Sequence, residues 1–77
     1  MSTQKAQLPG VFYRKPSPEA DPYVEEGGEI SEGQTIALIE VMKTFNEVKA
    51  EQAGKVSRFL IEDGDEVEAG QDILEVE

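Results

Sequence analysis

Residues 24–40 read VEEGGEISEGQTIALIE and residues 61–77 read IEDGDEVEAGQDILEVE, two stretches that superpose at a constant offset of 37 without a gap. Seven of the 17 positions are identical, where average composition would give about one. The identities are Glu25 with Glu62, Gly27 with Gly64, Glu29 with Glu66, Gly33 with Gly70, Gln34 with Gln71, Ile36 with Ile73 and Glu40 with Glu77. Val24 opposite Ile61, Ile30 opposite Val67 and Ile39 opposite Val76 keep their apolar character, and Leu38 opposite Glu75 breaks it. The chain therefore consists of two similar halves. The four repeated glycines read as turn positions, which carry architecture and no chemistry.

Between the turns lie segments rich in β-branched and aromatic residues: 11–13, 23–25, 35–41, 45–50, 55–61 and 73–76. No stretch sustains a 3.6-residue period for three turns, so the class is all-β. Short strands in two similar halves fit two small sheets packed face to face, or a flattened barrel, about an approximate twofold axis. Closure would also protect the strand edges. Phe12, Leu38, Ile39, Phe59, Leu60, Ile73, Leu74 and Val76 are the expected core. Residues 1–7 read as a flexible tail and residues 8–77 as the folded domain.

Composition limits the chemistry. Of 77 residues, 7 are basic and 17 acidic, a net charge of −10 that repels nucleic acid and anionic lipid surfaces. Without cysteine or histidine the chain has no disulfide, no thiolate and none of the commonest acid/base group, which argues against independent catalysis. No apolar run is long enough to cross a bilayer, which points to the cytoplasm, or to a plastid or other organellar matrix if a precursor was trimmed. Glu25, Glu26, Glu62, Asp63 and Asp65 cluster at turns without the alternation of oxygen donors that a calcium loop needs. No metal site is expected, and these acids read as a solvated surface able to steer the domain toward basic partners.

The joint between 35–41 and 45–50 reads as a tight hairpin with Met42 and Lys43 at its tip, although no Asn-Gly or Asp-Gly marks it. Lysines are usually plain surface charges. Here Val41, Met42 and Phe45 put apolar bulk where a solvent turn would favour Asn, Asp, Ser or Gly, which suggests that something docks there. None of Lys5, Arg14, Lys15, Lys49, Lys55 and Arg58 has that setting.

The run Glu40, Val41, Met42, Lys43, Thr44 resembles the Glu-Ala-Met-Lys-Met attachment motif of biotinyl domains, over about residues 8–77. Val41 stands where alanine is usual and Thr44 where the second methionine is usual. The resemblance implies a hammerhead of two four-stranded sheets, with biotin joined to Lys43 by a biotin protein ligase that uses biotinyl adenylate. The loaded domain would then move between a biotin carboxylase and a carboxyltransferase. Related lipoyl domains share the fold and usually read Asp-Lys-Ala at the tip, so Met42 favours biotin over lipoate.

Gly10 and Gly54 look like counterparts but lie 44 apart, so the first half carries seven extra residues between Arg14 and Tyr23. Residues 9–14 followed by Pro16, Ser17 and Pro18 are similar to the biotin carriers of bacterial and plastid acetyl-CoA carboxylases. In those proteins the insertion forms a thumb that folds toward biotin. Here the resemblance places it over Lys15, Pro16, Ser17, Pro18, Glu19, Ala20, Asp21 and Pro22, and implies a role in malonyl-CoA formation for fatty acid synthesis. The alternatives are a lipoyl-type carrier, a carrier for another acyl-CoA or pyruvate carboxylase, and an unmodified protein-interaction module of the same fold.

Overall fold

The computed structural model describes residues 2–77 and is all-β. Its strands are β1 (Ser2–Lys5), β2 (Gly10–Tyr13), β3 (Glu29–Ile30), β4 (Thr35–Val41), β5 (Thr44–Lys49), β6 (Gly54–Phe59), β7 (Glu66–Val67) and β8 (Asp72–Val76). They form two four-stranded antiparallel sheets, ordered β1-β8-β6-β3 and β5-β4-β2-β7. Advancing each strand of one sheet by four places, cyclically, yields the other in the same order, so the sequence repeat is a repeat of topology. The sheets pack face to face and are not closed into a barrel, which decides between the two expected architectures.

Hydrogen bonds repeat with the topology. Gly27 N–H donates to Val56 O at 2.7 Å and its counterpart Gly64 N–H to Phe12 O at 2.6 Å; Gly33 and Gly70 donate to Ala50 O and Ala6 O, both at 2.8 Å. All four glycines have φ between 85° and 90°, the left-handed region that a Cβ disfavours. The partners Ala6 and Ala50, or Phe12 and Val56, lie 44 apart, which places the seven extra residues after β2.

The core lies between the sheets. Phe12, Ile36, Ile39, Val56, Ile73, Leu74 and Val76 are fully buried, each contributing about 1.5–3 kcal/mol of transfer free energy. Phe59 and Leu60, expected in the core, are only half-buried, because β6 ends at Phe59 and the chain leaves the sheet there. Two further expectations are corrected: residues 60–61 lie beyond β6, and 23–25 form no strand, the chain bending at 23–24 where the Tyr23 amide bonds Arg14 O. The equivalent residues Val24 and Ile61 pack against the core from outside any strand. The tail over residues 1–7 is also corrected for its described part, residues 2–7. Ser2–Lys5 pairs with β8, Ala6 is 2% exposed, and the Gln4 side chain donates to Lys49 O at 2.8 Å. Met1 lies outside the described residues.

Strand alternation explains the break in the repeat. Phe12 and Ile39 are opposed in register and point into the core, so Tyr13 and its partner Leu38 face outward. Leu38 is nevertheless buried, on the face where the insertion leaves β2, while Glu75, on the half without an insertion, is ion-paired with Arg58 at 3.2 Å.

Gly10 and Gly54 allow each inner strand to close on its neighbour. A Cβ on Gly10 would strike Glu40 O and Ile39 Cγ2; one on Gly54 would lie 2.6 Å from Val76 Cγ1 and 2.8 Å from Glu77 O. Gly10→Ala and Gly54→Ala should each destabilise the domain by about 1–3 kcal/mol, read from denaturant midpoints. Equal stability of wild type and variants would refute the equivalent close approaches.

Candidate functional site

The β4–β5 ladder runs through Ile39↔Asn46 and Glu40↔Phe45 to Val41↔Thr44, leaving Met42 and Lys43 as the whole connection. Their φ values are 50° and 66°, the sign pattern of a type I′ turn, whose twist suits a two-residue hairpin. Such residues ordinarily give way to Asn or Gly, since the left-handed conformation costs an L-residue about 1–2 kcal/mol. The strands hold the strain. Val41 packs against the core, Ile39 is 1% exposed, and Asn46 Nδ2 donates to Ile39 O at 3.3 Å and Thr44 O at 3.2 Å. As a result Met42 is 93% exposed and Lys43 projects from the tip. Thr44 is exposed, Glu40 half-buried, and Phe45 remains 56% exposed, which excludes a core role for it.

The outer face below the tip carries a second group of residues. Tyr13 O–H donates to Glu40 Oε1 at 3.2 Å, and the Tyr13 ring lies 6.1 Å from that of Phe45, tilted 54°. Accepting this hydrogen bond, Glu40 holds the Tyr13 hydroxyl above its ordinary pKa. Partial desolvation and the charges of Glu40 and Asp63 act in the same direction.

The insertion closes on itself where it begins: Tyr23 N–H donates to Arg14 O at 3.0 Å, with an internal turn from Ala20 N–H to Ser17 O at 3.1 Å. Arg14 N–H donates to Asp63 Oδ1 at 2.7 Å, and its guanidinium sits 4.0 Å from the Phe59 ring centroid, within cation–π range. The base of the loop is thereby tied to the second half of the chain. Lys15, Pro16, Ser17 and Pro18 line a mainly apolar cleft of about 250 Å³ with Tyr13, Phe45 and Asp63, while Glu19, Ala20, Asp21 and Pro22 complete the loop outside it. A larger hollow of about 290 Å³, lined by Gln4, Gln7, Leu8, Ile39 and residues 46–49, contains no motif residue.

The fold thus brings Glu40, through Tyr13, and the first four insertion residues to one face of the domain, with Phe45, two residues beyond Lys43, in the cleft wall. Tyr13 and Asp63 were not singled out from the sequence as site residues. The signal for Tyr13 lies in strand alternation beside Phe12; Asp63 is visible only as one of the turn acids, because its partner Arg14 lies in the other half of the chain.

A strained two-residue turn that exposes one lysine thus caps an all-β sandwich of two repeats. Residues 5–76 match the biotin/lipoyl family described as "Biotin-requiring enzyme", and the chain belongs to that family. It is 40% identical over 76 residues to the biotin carboxyl carrier protein of acetyl-CoA carboxylase of Pyropia yezoensis, covering 99% of this chain and 48% of that protein. The protein of the same name from Haemophilus influenzae is 38% identical over 73 residues, 95% of this chain and 47% of that one. This chain thus spans about half the length of these curated relatives. A solved single-chain, multi-domain long-chain acyl-CoA carboxylase contains a similar fold, with TM-score 0.77 and 25% identity over 95% of this chain and 7% of that one.

Two measurements test the site. Replacing Met42-Lys43 by Asn-Gly should raise stability by about 1–3 kcal/mol as the left-handed strain is relieved, in denaturant unfolding; unchanged or lower stability would refute stored strain. Tyr13 should ionise above 10.0, the value for an unperturbed tyrosine, and Glu40→Gln should move it back toward that value in a ¹³C NMR titration. Because the folded state binds this proton more tightly, the pair's stabilisation is complete below about pH 10. It is lost as pH rises through the Tyr13 pKa.

Proposed function

We propose that this chain is a biotin carrier domain that is acylated on Lys43 and serves a biotin-dependent carboxylase, most closely an acetyl-CoA carboxylase forming malonyl-CoA for fatty acid synthesis. The observation that carries this reading is the strained turn, which presents Lys43 in solvent and outside any ion pair among the described residues. The residues fit the group: biotin ends in a carboxylate, and a primary amine on four methylenes is the acceptor that an amide requires.

In loading, the neutral Lys43 Nζ attacks the carbonyl carbon of biotinyl adenylate held by a biotin protein ligase. A C–N bond forms, the C–O bond to the phosphate breaks, AMP leaves, and the amine proton passes to solvent. Met42, almost wholly exposed beside Lys43, and Phe45 offer apolar contacts to the ligase. Held on Lys43, biotin would supply the carboxyl-carrying chemistry between a biotin carboxylase and a carboxyltransferase. The chain itself contributes reach, orientation and surface, with no catalytic group of its own. Prolines at 16, 18 and 22 stiffen the insertion beside the cleft, and this rigid wall fits a thumb that contacts the attached group.

Intact mass after incubation with biotin, ATP and a biotin protein ligase should rise by one biotinyl group, mapped to Lys43 by fragmentation. Lys43→Arg should fold and remain unloaded, because a guanidinium stays protonated; loading of that variant would place the site elsewhere. Deleting residues 15–21 should leave loading intact and slow carboxyl transfer, and unchanged transfer kinetics would remove the thumb from the function.

A further inference from the structure

Glu40 precedes Lys43 by three residues on the same hairpin, a separation at which a carboxylate and an ammonium on flexible side chains can meet. They do not pair here. Glu40 Oε1 instead accepts the Tyr13 hydroxyl at 3.2 Å, and no ion pair among the described residues includes Lys43. We propose that Tyr13 is a positioning residue for acylation of Lys43: its hydroxyl ties the Glu40 carboxylate down on the outer face of the sheet and keeps it from capturing the lysine. This rests on the reading of Lys43 as the acylated residue.

The registers place the pair. Tyr13 opposes Leu38, which puts it diagonal to Glu40, and Phe45 opposes Glu40 from the other side with its ring against Tyr13. Diagonal cross-strand neighbours are within reach of a long aromatic side chain. The other acids near this face are already engaged: Glu47 on β5 pairs with Lys49 at 3.0 Å, and Asp63 from the neighbouring turn accepts Arg14 N–H. Lys15 enters the cleft from the insertion, and the Arg14 guanidinium lies over Phe59. Glu40 is therefore the acid of the hairpin whose partner is a neutral hydroxyl, and that hydroxyl keeps its proton well above neutral pH. Without the tie, Glu40 is free to pair with Lys43. An ion pair stabilises the ammonium, which has no lone pair to attack an acyl carbon.

The test uses a chemical acyl donor, so that it does not depend on the ligase. With a biotin N-hydroxysuccinimide ester, Lys43 Nζ attacks the ester carbonyl, a C–N bond forms, the C–O bond breaks, N-hydroxysuccinimide leaves and the proton passes to buffer. Peptide fragmentation reads the Lys43 adduct against the Lys55 adduct, an exposed lysine on β6 of the same molecule. At neutral pH and low salt, Tyr13→Phe should lower the Lys43-to-Lys55 ratio about threefold, the size an exposed ion pair of ordinary strength produces. Tyr13→Phe with Glu40→Gln should restore it, and high salt should narrow the deficit of the single variant. An unchanged ratio in Tyr13→Phe, or a loss that Glu40→Gln does not restore, would overturn the proposal and leave Tyr13 a packing residue. Wild type that a ligase cannot load would overturn the proposed function alone, because the chemical ratios remain measurable.

Discussion

The register of the β4–β5 ladder is the constraint on which the site depends. Once Val41 opposes Thr44, only two residues remain to reverse the chain, and both must take positive φ. Together they cost about 2–4 kcal/mol, which would favour slippage if the strands were free to slip. They are not free. β4 is flanked by β5 and β2, and Ile36, Ala37, Leu38 and Ile39 are all buried. A one-residue slip would turn Ala37, Ile39 and Val41 together from the core to the outer face, and losing that joint burial opposes the relief of the turn. Lys43 is therefore held at the tip by residues that never touch it.

Much of this was legible in the sequence, because β4 and the repeat are both strong signals. Residues 35–41 carry four β-branched residues and a leucine between turn signals, and the fold forms a strand with those same bounds. β1 was missed because Ser-Thr-Gln-Lys is polar and sits at an edge, where pairing with β8 gives it order that its composition does not suggest. β3 and β7 are two residues each, too short for any periodicity. Residues 23–25 misled in the opposite way. Val24 is buried, but the Tyr23 amide is spent on Arg14 O to close the insertion, so the segment cannot join a ladder. Local composition reports burial there, while the hydrogen-bond partner decides the conformation.

The candidate site lies where the two halves differ. Arg14 and Arg58 stand 44 apart at equivalent places, yet Arg14 stacks on Phe59 while Arg58 pairs with Glu75. The position opposite Glu75 in the repeat is Leu38, which offers an arginine no counter-charge. Tyr13 has Ser57 as its counterpart, a side chain too short to span a strand diagonal. Each departure from symmetry in this set, Leu38, Tyr13 and the insertion itself, falls on one face of one sheet, beside the hairpin. Leu38 opposite Glu75 was visible as an irregularity in the repeat. Its meaning was not, because which face a strand residue occupies follows from pairing and not from the strand's own sequence.

The acidic composition acquires a role once the sheets are seen to be open. A barrel would have hidden its strand edges; this sandwich leaves β1, β3, β5 and β7 as edge strands. β3 and β7 are minimal in length, and acids surround both: Glu25, Glu26, Glu29 and Glu32 at one, Glu62, Asp63, Asp65, Glu66 and Glu68 at the other. Short, like-charged edges repel copies of themselves and resist edge-to-edge pairing. Charge thus does for these edges what closure was expected to do, at the cost of some self-repulsion in the folded state. The same surplus of carboxylates makes an unpaired lysine hard to maintain, since nearly every turn could supply a partner. The type I′ turn, which carries Lys43 beyond the ends of the strands, and the Tyr13 tie on the Glu40 carboxylate answer that difficulty from two directions.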